Sequence, residues 1–494
     1  MLYSSTRNSN EKITASKAIL KGIATDGGLF MPETLSGLDF DYKNTLNMST
    51  LQIAKYVLST LFDDFSKEEM SNLVDKAYIG KFETDDLTPT VKVGDNFVLE
   101  LFRGPTSAFK DVALSMLPQL ITASRKKNGV EDKIVILTAT SGDTGKAALE
   151  GFHDVDGTEI IVFYPDGGVS ATQKAQMVTQ EGNNVSVCAV RGNFDDTQTG
   201  VKKIFAAAEK EGLLIGTGKQ LSSANSINIG RLAPQIVYYF ASYRDLVKSG
   251  EINEGDKVNF VVPTGNFGDI LAGYFAKLLG LPVDKLVCAS NANNVLTDFI
   301  KTGKYNRLRD FYKTVSPSMD ILVSSNLERL LYLLSGLNTE ETAGYMSSLD
   351  KNGEYTVSDE LLNKLNDEFY GGSCDDNETL KTIQHVYRDY GYLCDTHTAV
   401  AFNVAEKFQE ETGNKNKTVV LSTASPYKFS NAVSEALGIN TDGDEFDIMY
   451  GLNKATNVPV PNGLNNLKGK EVKHTDVINK DEMLNYVLKK LGVK

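Results

Sequence analysis

The chain has 494 residues, of which 41% are hydrophobic and 23% charged, and its net charge at pH 7 is −13. This composition is ordinary for a folded protein of about three domains, and it does not indicate extensive disorder. An acidic surface without a basic block repels nucleic acids and anionic membranes, so we expect neither as a partner, whereas a small anion needs only a local positive pocket.

Residues 1–85 are predicted to form a mixed, mainly helical N-terminal region. Apolar residues recur every three or four positions in 51–61 and in 67–77, which is the pattern of amphipathic helices. Before them, residues 26–32 contain a Gly-Gly turn that leads into an extended step. Residues 85–89 are the expected connection to the next region.

Residues 86–435 are predicted to form an α/β core of two lobes. Short runs rich in Val and Ile alternate with amphipathic stretches such as 198–209 and 232–246, which favours parallel sheets covered by helices. The stretch 306–377 is more polar, and we expect a helical insertion there. Residues 436–494 are expected to pack on the core as a C-terminal segment. The apolar runs are 133–137, 159–163, 185–190, 258–262, 285–289 and 418–421.

Ligands of open α/β sheets bind at the carboxyl ends of the strands, so the residues that follow the predicted strands are the candidates for a site. After the run 133–137, a loop leads into a helix, where backbone N–H groups can hold an anion. A nucleotide-binding P-loop does not fit, because Thr140 stands where its first glycine belongs and Ala147 follows Lys146. A plain turn with a helix cap is an equal alternative. The loop residues are Ser141, Gly142, Asp143 and Thr144.

A second loop of this kind follows the run 258–262, and its two glycines allow a backbone to approach a phosphate closely. It lacks the full Gly-x-Gly-x-x-Gly pattern of a dinucleotide site, so a single phosphate is a better-supported ligand than a dinucleotide. A structural turn that binds no ligand is at least as well supported as a phosphate site. The run 418–421 leads to Thr423, whose hydroxyl can bond to a ring nitrogen or a phosphate. The residues of the second loop are Gly265, Asn266, Phe267, Gly268 and Asp269.

Lys110 follows a Gly-Pro turn and precedes an apolar helix predicted over 112–120. A lysine in the first turn of a helix opposes the helix dipole, and violations of this kind are typical of working sites. Most lysines are solvated surface groups, however, so the residue alone decides little.

Cysteines and histidines do not show the spacing of a metal site, and no Gly-x-Ser-x-Gly sequence offers a serine nucleophile. Scattered cysteines are typical of reduced thiols in the cytosol. The first residues lack the apolar core of a signal peptide, and no apolar run approaches the roughly 20 residues that span a bilayer. The residues therefore indicate a cytoplasmic α/β enzyme that binds a small phosphate ligand, with His397 as a helix-start or core residue.

Residues 104–111, Gly-Pro-Thr-Ser-Ala-Phe-Lys-Asp, resemble the cofactor-lysine motif of the threonine synthase family, in its longer bacterial and fungal branch. Further motifs of the family follow one another in order along nearly the whole chain, which is more specific than any single match. They lie at 3–8, 27–33, 140–145, 193–196, 225–228, 263–269, 395–400 and 423–429.

The resemblance implies the tryptophan-synthase-β-like fold (PLP fold type II), in which two doubly wound α/β domains enclose the cofactor, with the N-terminal region added. It implies that Lys110 holds pyridoxal 5'-phosphate as a Schiff base. Loop 265–269 would bind the cofactor phosphate, and Thr423 would face the pyridine nitrogen. In this fold group the loop 141–144 holds the substrate's α-carboxylate. Asn225 and Arg231 are further candidates for substrate contacts.

The implied reaction converts O-phosphohomoserine and water to L-threonine and phosphate by γ-elimination and β-addition of water, the last step of threonine biosynthesis. A phospho-lyase on a related phosphorylated amino compound is the nearest alternative, and the branch favours a monomer. Arg103, Lys146 and Ser425 depart from the family pattern. We expect the first two to be solvated rather than bound to the substrate phosphate.

Overall fold

The protein, described here by a computed structural model that covers residues 1–35, 37–465 and 467–493, begins with a small sheet and several helices. These elements are β1 (Leu2–Ser5), β2 (Ile13–Thr14), α1 (Ala15–Lys21), β3 (Phe30–Pro32), a 3₁₀ helix (Tyr42–Asn47), α2 (Thr50–Leu61) and α3 (Lys67–Tyr78). The strands pair antiparallel in the order β2-β1-β3. Helices α2 and α3 each begin at a capping box, built on Ser49 and on Ser66, which fixes where the two predicted helices start.

The chain then alternates between strands and helices. The next elements are β4 (Thr90–Val93), β5 (Asn96–Glu100), α4 (Lys110–Lys127), β6 (Lys133–Ala139), α5 (Asp143–Phe152), β7 (Thr158–Pro165), α6 (Ala171–Val178), β8 (Val185–Arg191), α7 (Phe194–Glu211), β9 (Lys219–Ser222), α8 (Ile229–Leu232), a 3₁₀ turn (Ala233–Gln235) and α9 (Ile236–Lys248).

The second half continues the alternation and ends in two helices that flank a last strand. Its elements are β10 (Val258–Pro263), α10 (Gly268–Leu278), β11 (Val283–Ser290), α11 (Val295–Thr302), β12 (Lys304–Asn306), a 3₁₀ turn (Pro317–Met319), α12 (Leu327–Leu334), α13 (Thr339–Asn352), β13 (Glu354–Thr356), α14 (Asp359–Glu368), β14 (Phe369–Ser373), α15 (Asp376–Tyr390), α16 (Thr396–Thr412), β15 (Thr418–Ser422), a 3₁₀ helix (Pro426–Phe429), α17 (Ser430–Ala436), α18 (Glu445–Thr456), β16 (Asp476–Asn479), a 3₁₀ turn (Lys480–Glu482) and α19 (Met483–Lys490).

Two sheets form the cores of two lobes. The smaller lobe is built on a fully parallel sheet of order β16-β8-β7-β6-β9. The larger lobe is built on the sheet β14-β11-β10-β15-β5-β4, in which the edge strand β4 alone runs antiparallel. The central strands are buried along nearly their whole length, as their continuous apolar sequences predict. The predicted fold, two α/β lobes with a helical N-terminal region, is confirmed.

The predicted helical insertion at 306–377 is only partly helical, because it also contains β13 and β14 and the last residue of β12. Strand β14 extends the larger sheet beside β11. A side chain at Gly371 would come within 3.1 Å of the Thr297 backbone, so the glycine lets α11 approach the strand closely. The apolar pattern of β14 is weak because the strand needs a small residue, Gly371, where α11 packs closely against it.

The last part of the C-terminal segment, from β16 onward, completes the smaller lobe, whereas Met449 and Leu452 of α18 are buried with residues of the larger lobe. Strand β16 pairs parallel with β8, and α19 packs on α7. Met483, Val487 and Leu491 of this segment are buried in one cluster with residues of β6, β7 and β8. Among the described residues, no helix is long and apolar enough to cross a bilayer.

Candidate active site

A cavity of about 1630 Å³ opens where the carboxyl ends of the two sheets face each other. Residues that follow β6, β10 and β15 line it, as expected for parallel α/β sheets. Its volume exceeds the ~300–1,000 Å³ of a typical ligand pocket, which leaves room for two ligands side by side. Of the predicted site residues it collects Lys110, Ser141, Asp143, Thr144, Asn225, Arg231, Gly265, Asn266, Phe267, Gly268, Asp269 and Thr423.

Lys110 is the first residue of α4 and is held against the end of β15. The N–H of Phe109 donates to the carbonyl of Thr423 over 2.8 Å, so the lysine and this threonine are fixed to each other through the backbone. The Lys110 Nζ lies 3.8 Å from Asp143 Oδ2. Burial lowers the pKa of Lys110 to about 8, and the positive charge of Arg231 partly offsets the opposing effect of Asp143. The amine can therefore lose its proton near neutral pH.

Asp143 begins α5, and its carboxylate faces lysines rather than open space. Lys428 Nζ lies 2.8 Å from Oδ1, and Gln173 Nε2 donates to the same oxygen over 2.9 Å. Burial alone would raise the pKa of Asp143, but the charges of Lys428 and Lys110 outweigh it and hold that pKa well below its usual range. The side chain of Asp143 is thus an ionised partner of two cations.

Gly142 shapes the turn before α5 and does not line the cavity. Its φ of 138° is in a region that favours glycine, and an added Cβ would lie 2.3 Å from the side chain of Gln173. The neighbouring Ser141 and Thr144 do line the cavity, at a helix N-terminus. Their predicted contact with a substrate carboxylate stays a prediction.

The second predicted loop, 265–269, forms the start of α10 and is braced from outside. Ser324 Oγ donates to the carbonyl of Gly265 over 2.7 Å, and Asn326 donates to the carbonyl of Asn266 from its backbone N–H (3.1 Å) and from Nδ2 (3.2 Å). Phe267 takes a left-handed φ of 62°, an uncommon conformation outside glycine. Among the described residues, the N–H groups of 266–268 have no hydrogen-bond acceptor, which is the arrangement of an anion cradle.

Asp269 lies beneath this cradle. Its Oδ1 accepts hydrogen bonds from the hydroxyls of Tyr238 (2.5 Å) and Tyr239 (2.9 Å). Burial raises the pKa of Asp269 to about 6, against the lowering effect of the two tyrosines. In the described part of the chain Oδ2 is buried and has no hydrogen-bond partner.

Arg231 and Asn225 lie on the cavity wall between the lobes. Arg231 is buried, and its Nη1 donates to the carbonyl of Ala224 over 2.6 Å. No described residue accepts a hydrogen bond from its Nε, and burial lowers its pKa to about 10. A guanidinium on the wall of a cavity is suited to an anionic ligand. Asn225 is exposed at the wall.

His397 has the predicted helix-start position, as the second residue of α16, and it is buried. The N–H of Ser318 donates to its Nε2 over 3.1 Å, so Nδ1 carries the proton that is shared with Asp395 over 2.7 Å. The ring also lines the cavity. This histidine therefore connects the insertion to the larger lobe at the site.

The expectation that Lys146 is solvated is wrong. It is buried and lies 2.9 Å from Glu150, because one face of α5 packs inside the smaller lobe and the ion pair compensates the charge. Arg103 is partly exposed and lies 2.6 Å from Glu100. Neither residue lines the cavity.

Family models match the chain in three successive parts. The model described as "Threonine synthase N terminus" matches residues 2–78. "Pyridoxal-phosphate dependent enzyme" matches 85–424, and "Threonine synthase, C-terminal" matches 398–486.

Individual proteins are similar over most of the chain. Threonine synthase of Saccharomyces cerevisiae is 36% identical over 479 residues, which cover 91% of each protein. Threonine synthase-like 1 of Macaca fascicularis is 38% identical over 448 residues, 88% of this chain, and the chain spans only 60% of that protein's length. The crystal structure of PLP-bound threonine synthase from Brucella melitensis has a TM-score of 0.87 and 36% identity, covering 99% of this chain and 98% of that one.

The cofactor is pyridoxal 5'-phosphate, and the residues on the cavity wall fit it. A buried amine of lowered pKa suits an aldehyde carbon, and unoccupied N–H groups at a helix N-terminus suit a phosphate. Gly265 has no room for a side chain, because an added Cβ would lie 2.9 Å from the Ser318 carbonyl oxygen.

Proposed function

Because the chain belongs to the threonine synthase family of pyridoxal-phosphate-dependent enzymes, we propose that it converts O-phosphohomoserine and water to L-threonine and phosphate. The observation that carries this proposal is the buried amine of Lys110, which shares its cavity with the guanidinium of Arg231. The substrate carries a carboxylate and a phosphate, and both need positive groups or N–H donors. Cytoplasmic location, a monomeric state and the division at 85 and 435 stay predictions.

Three groups of this chain would hold the cofactor. Lys110 would bind its aldehyde carbon, the N–H groups of 266–268 its phosphate, and the Thr423 hydroxyl its ring nitrogen. When bound, the cofactor supplies an electron sink for the electron pair left by a broken C–H bond. A neutral hydroxyl at the ring nitrogen would not force that nitrogen to stay protonated, so the protein's contacts with the substrate must select the reaction.

Lys110 would move the protons. In the reaction Cβ exchanges a hydrogen for the hydroxyl of water, Cγ exchanges phosphate for a proton, and Cα loses and regains its proton. An amine with a pKa of about 8 is both a usable base and a usable acid near neutral pH. Asp143, ionised beside it, would stabilise the protonated form between these transfers.

Two positively polarised surfaces would bind the substrate anions. The N-terminus of α5, with Ser141 and Thr144, would take the carboxylate, as the fold group implies. The guanidinium of Arg231, on the cavity wall, would take the phosphate. Both lie on the same cavity as Lys110.

The test is turnover of O-phosphohomoserine, with threonine and phosphate assayed in the same sample. We expect equal release of the two products by the native chain and loss of both in Lys110→Ala, because no other amine occupies that position. Lys67→Ala is the matched control, since Lys67 is also the first residue of a helix but is exposed and lies outside the cavity. It should leave both products unchanged.

Other outcomes separate the alternatives. Phosphate without threonine would indicate a phospho-lyase on a related phosphorylated amino compound. Neither product from a chain with bound cofactor would refute the proposed substrate. Full activity in Lys110→Ala would refute the role of the lysine.

A further inference from the structure

Lys428 is a fully buried cation behind the active-site wall. It lies in the 3₁₀ helix that follows β15, its side chain is 0% exposed, and it does not line the cavity. Its Nζ lies 2.8 Å from Asp143 Oδ1 and donates to the carbonyl of Thr106 over 3.0 Å. Of these two polar partners of Lys428, Asp143 is the one that lines the cavity.

Asp143 has two cationic partners, of which one is the reactive amine and the other is buried away from the substrate. Lys110 lies 3.8 Å from Oδ2 and is the amine that must lose its charge to react. Lys428 lies 2.8 Å from Oδ1 and is closed off from any substrate. A buried carboxylate left without a cation is strongly disfavoured. If Lys110 were the sole partner, Asp143 would therefore hold it in the charged form.

We propose that Lys428 is a positioning residue: a permanent counter-ion that keeps Asp143 ionised and in place, so that Lys110 can release its proton. The proposal rests on the proposed function in one respect, the assignment of Lys110 as the reactive amine. Gln173 assists by donating to the same Asp143 oxygen as Lys428 over 2.9 Å.

The charges around Lys110 fix the direction of the effect. Asp143 on α5 and Asp111 on its own helix favour the protonated amine, whereas Arg231 on α8 and Lys428 disfavour it. Asp269 at the start of α10 also interacts electrostatically with Lys110. Removing Lys428 deletes one charge that repels the protonated Lys110, and, among the described residues, it leaves Lys110 as the one cation that pairs with Asp143. Both changes raise the pKa of Lys110.

The test reads the titration of Lys110 directly, in the full-length chain freed of cofactor. The rate of acetylation of Lys110 by acetic anhydride, followed by mass spectrometry of its peptide between pH 6 and 10, gives the pH at which half of the amine is neutral. In Lys428→Met we expect this midpoint to rise by about one pH unit, so that labelling at pH 7 slows about tenfold. The acid limb of the pH profile of kcat/KM should move in the same direction.

Two controls separate this role from a merely structural one. Lys428→Arg keeps the charge and should restore the native midpoint. Lys146→Met removes another buried lysine of the site region, paired with Glu150 instead, and should lower stability without moving the midpoint.

A folded Lys428→Met chain with the native Lys110 midpoint would overturn the proposal. If that variant does not fold, Lys428→Gln keeps a donor for Asp143 and Thr106 without the charge, and the same upward shift is required of it. Because labelling uses no substrate, its outcome is independent of whether O-phosphohomoserine is turned over.

Discussion

The guanidinium of Arg231 on the cavity wall is the residue feature that bears most directly on substrate choice. A single charged hydrogen bond is worth about 1.5–3 kcal/mol. We expect Arg231→Met to lower kcat/KM about 10- to 150-fold, mainly through a higher KM, while the cofactor still binds. Initial rates over a range of O-phosphohomoserine concentrations measure this.

Arg103→Met is the control for this prediction. Arg103 also pairs with neighbouring groups, but it lies outside the cavity. Its loss should leave KM unchanged. An equal change of KM in the two variants would contradict a specific contact between Arg231 and the substrate.

At the residue scale, the sequence predicted the residues that line the cavity better than those behind it. Lys110, the two loops and Thr423 could be found because each follows a recognisable strand or turn and belongs to a family motif. Lys428 lies inside one of those motifs, but its partner Asp143 is far away along the chain, so the ion pair has no local signal. Gln173 was missed for the same reason.

At the scale of elements, the insertion supports the cofactor loop. Asn326 donates twice to the carbonyl of Asn266, and its Nδ2 also donates to Ser226 over 3.0 Å. These bonds turn loop carbonyls outward and leave the N–H groups for the phosphate. The loop geometry thus depends on a segment that follows it in sequence.

Asn326→Ala should therefore weaken cofactor binding. Loss of the two side-chain bonds, at about 0.5–1.5 kcal/mol each, predicts a rise of about 5- to 150-fold in the dissociation constant of pyridoxal phosphate. A spectroscopic titration of the cofactor-free chain measures it. Asn352→Ala is the matched control, because its side chain is exposed and, among the described residues, bonds only to Ser348. Equal affinities in the two variants would count against the supporting role.

The same scale explains which elements the sequence predicted. All six apolar runs are strands, because burial on both faces demands continuous hydrophobic sequence. Strand β14 has a Gly-Gly pair, and β16 is largely exposed, so neither carries that pattern. Each of these two strands is held by hydrogen bonds to a neighbouring strand, β14 to β11 and β16 to β8. A single sequence does not reveal which edge strand of a sheet is free to pair with a further strand.

For the molecule as a whole, the part of the C-terminal segment from β16 onward belongs to the core of the smaller lobe. Met483 is 1% exposed and packs on Gly200 of α7, where an added Cβ would lie 2.3 Å from its sulfur. Truncating a buried methionine costs about 2–5 kcal/mol. We expect Met483→Ala to lower the free energy of unfolding by that amount, measured by urea titration.

Val472→Ala, in the same segment, is the control. Val472 is 52% exposed, and such surface changes stay within about 0.5 kcal/mol. If the two variants were equally stable, the C-terminal segment would be an appendage rather than a part of the core.

The pair of Asp143 and Lys428 also joins the two lobes mechanically. Asp143 follows β6 of the smaller sheet, Lys428 follows β15 of the larger one, and both side chains are almost completely buried. Breaking such a pair costs about 3–5 kcal/mol, far more than thermal energy. We therefore expect this pair to stay intact if the cleft opens, so that the two lobes separate at the mouth of the cavity while the spacing beneath Lys110 is kept.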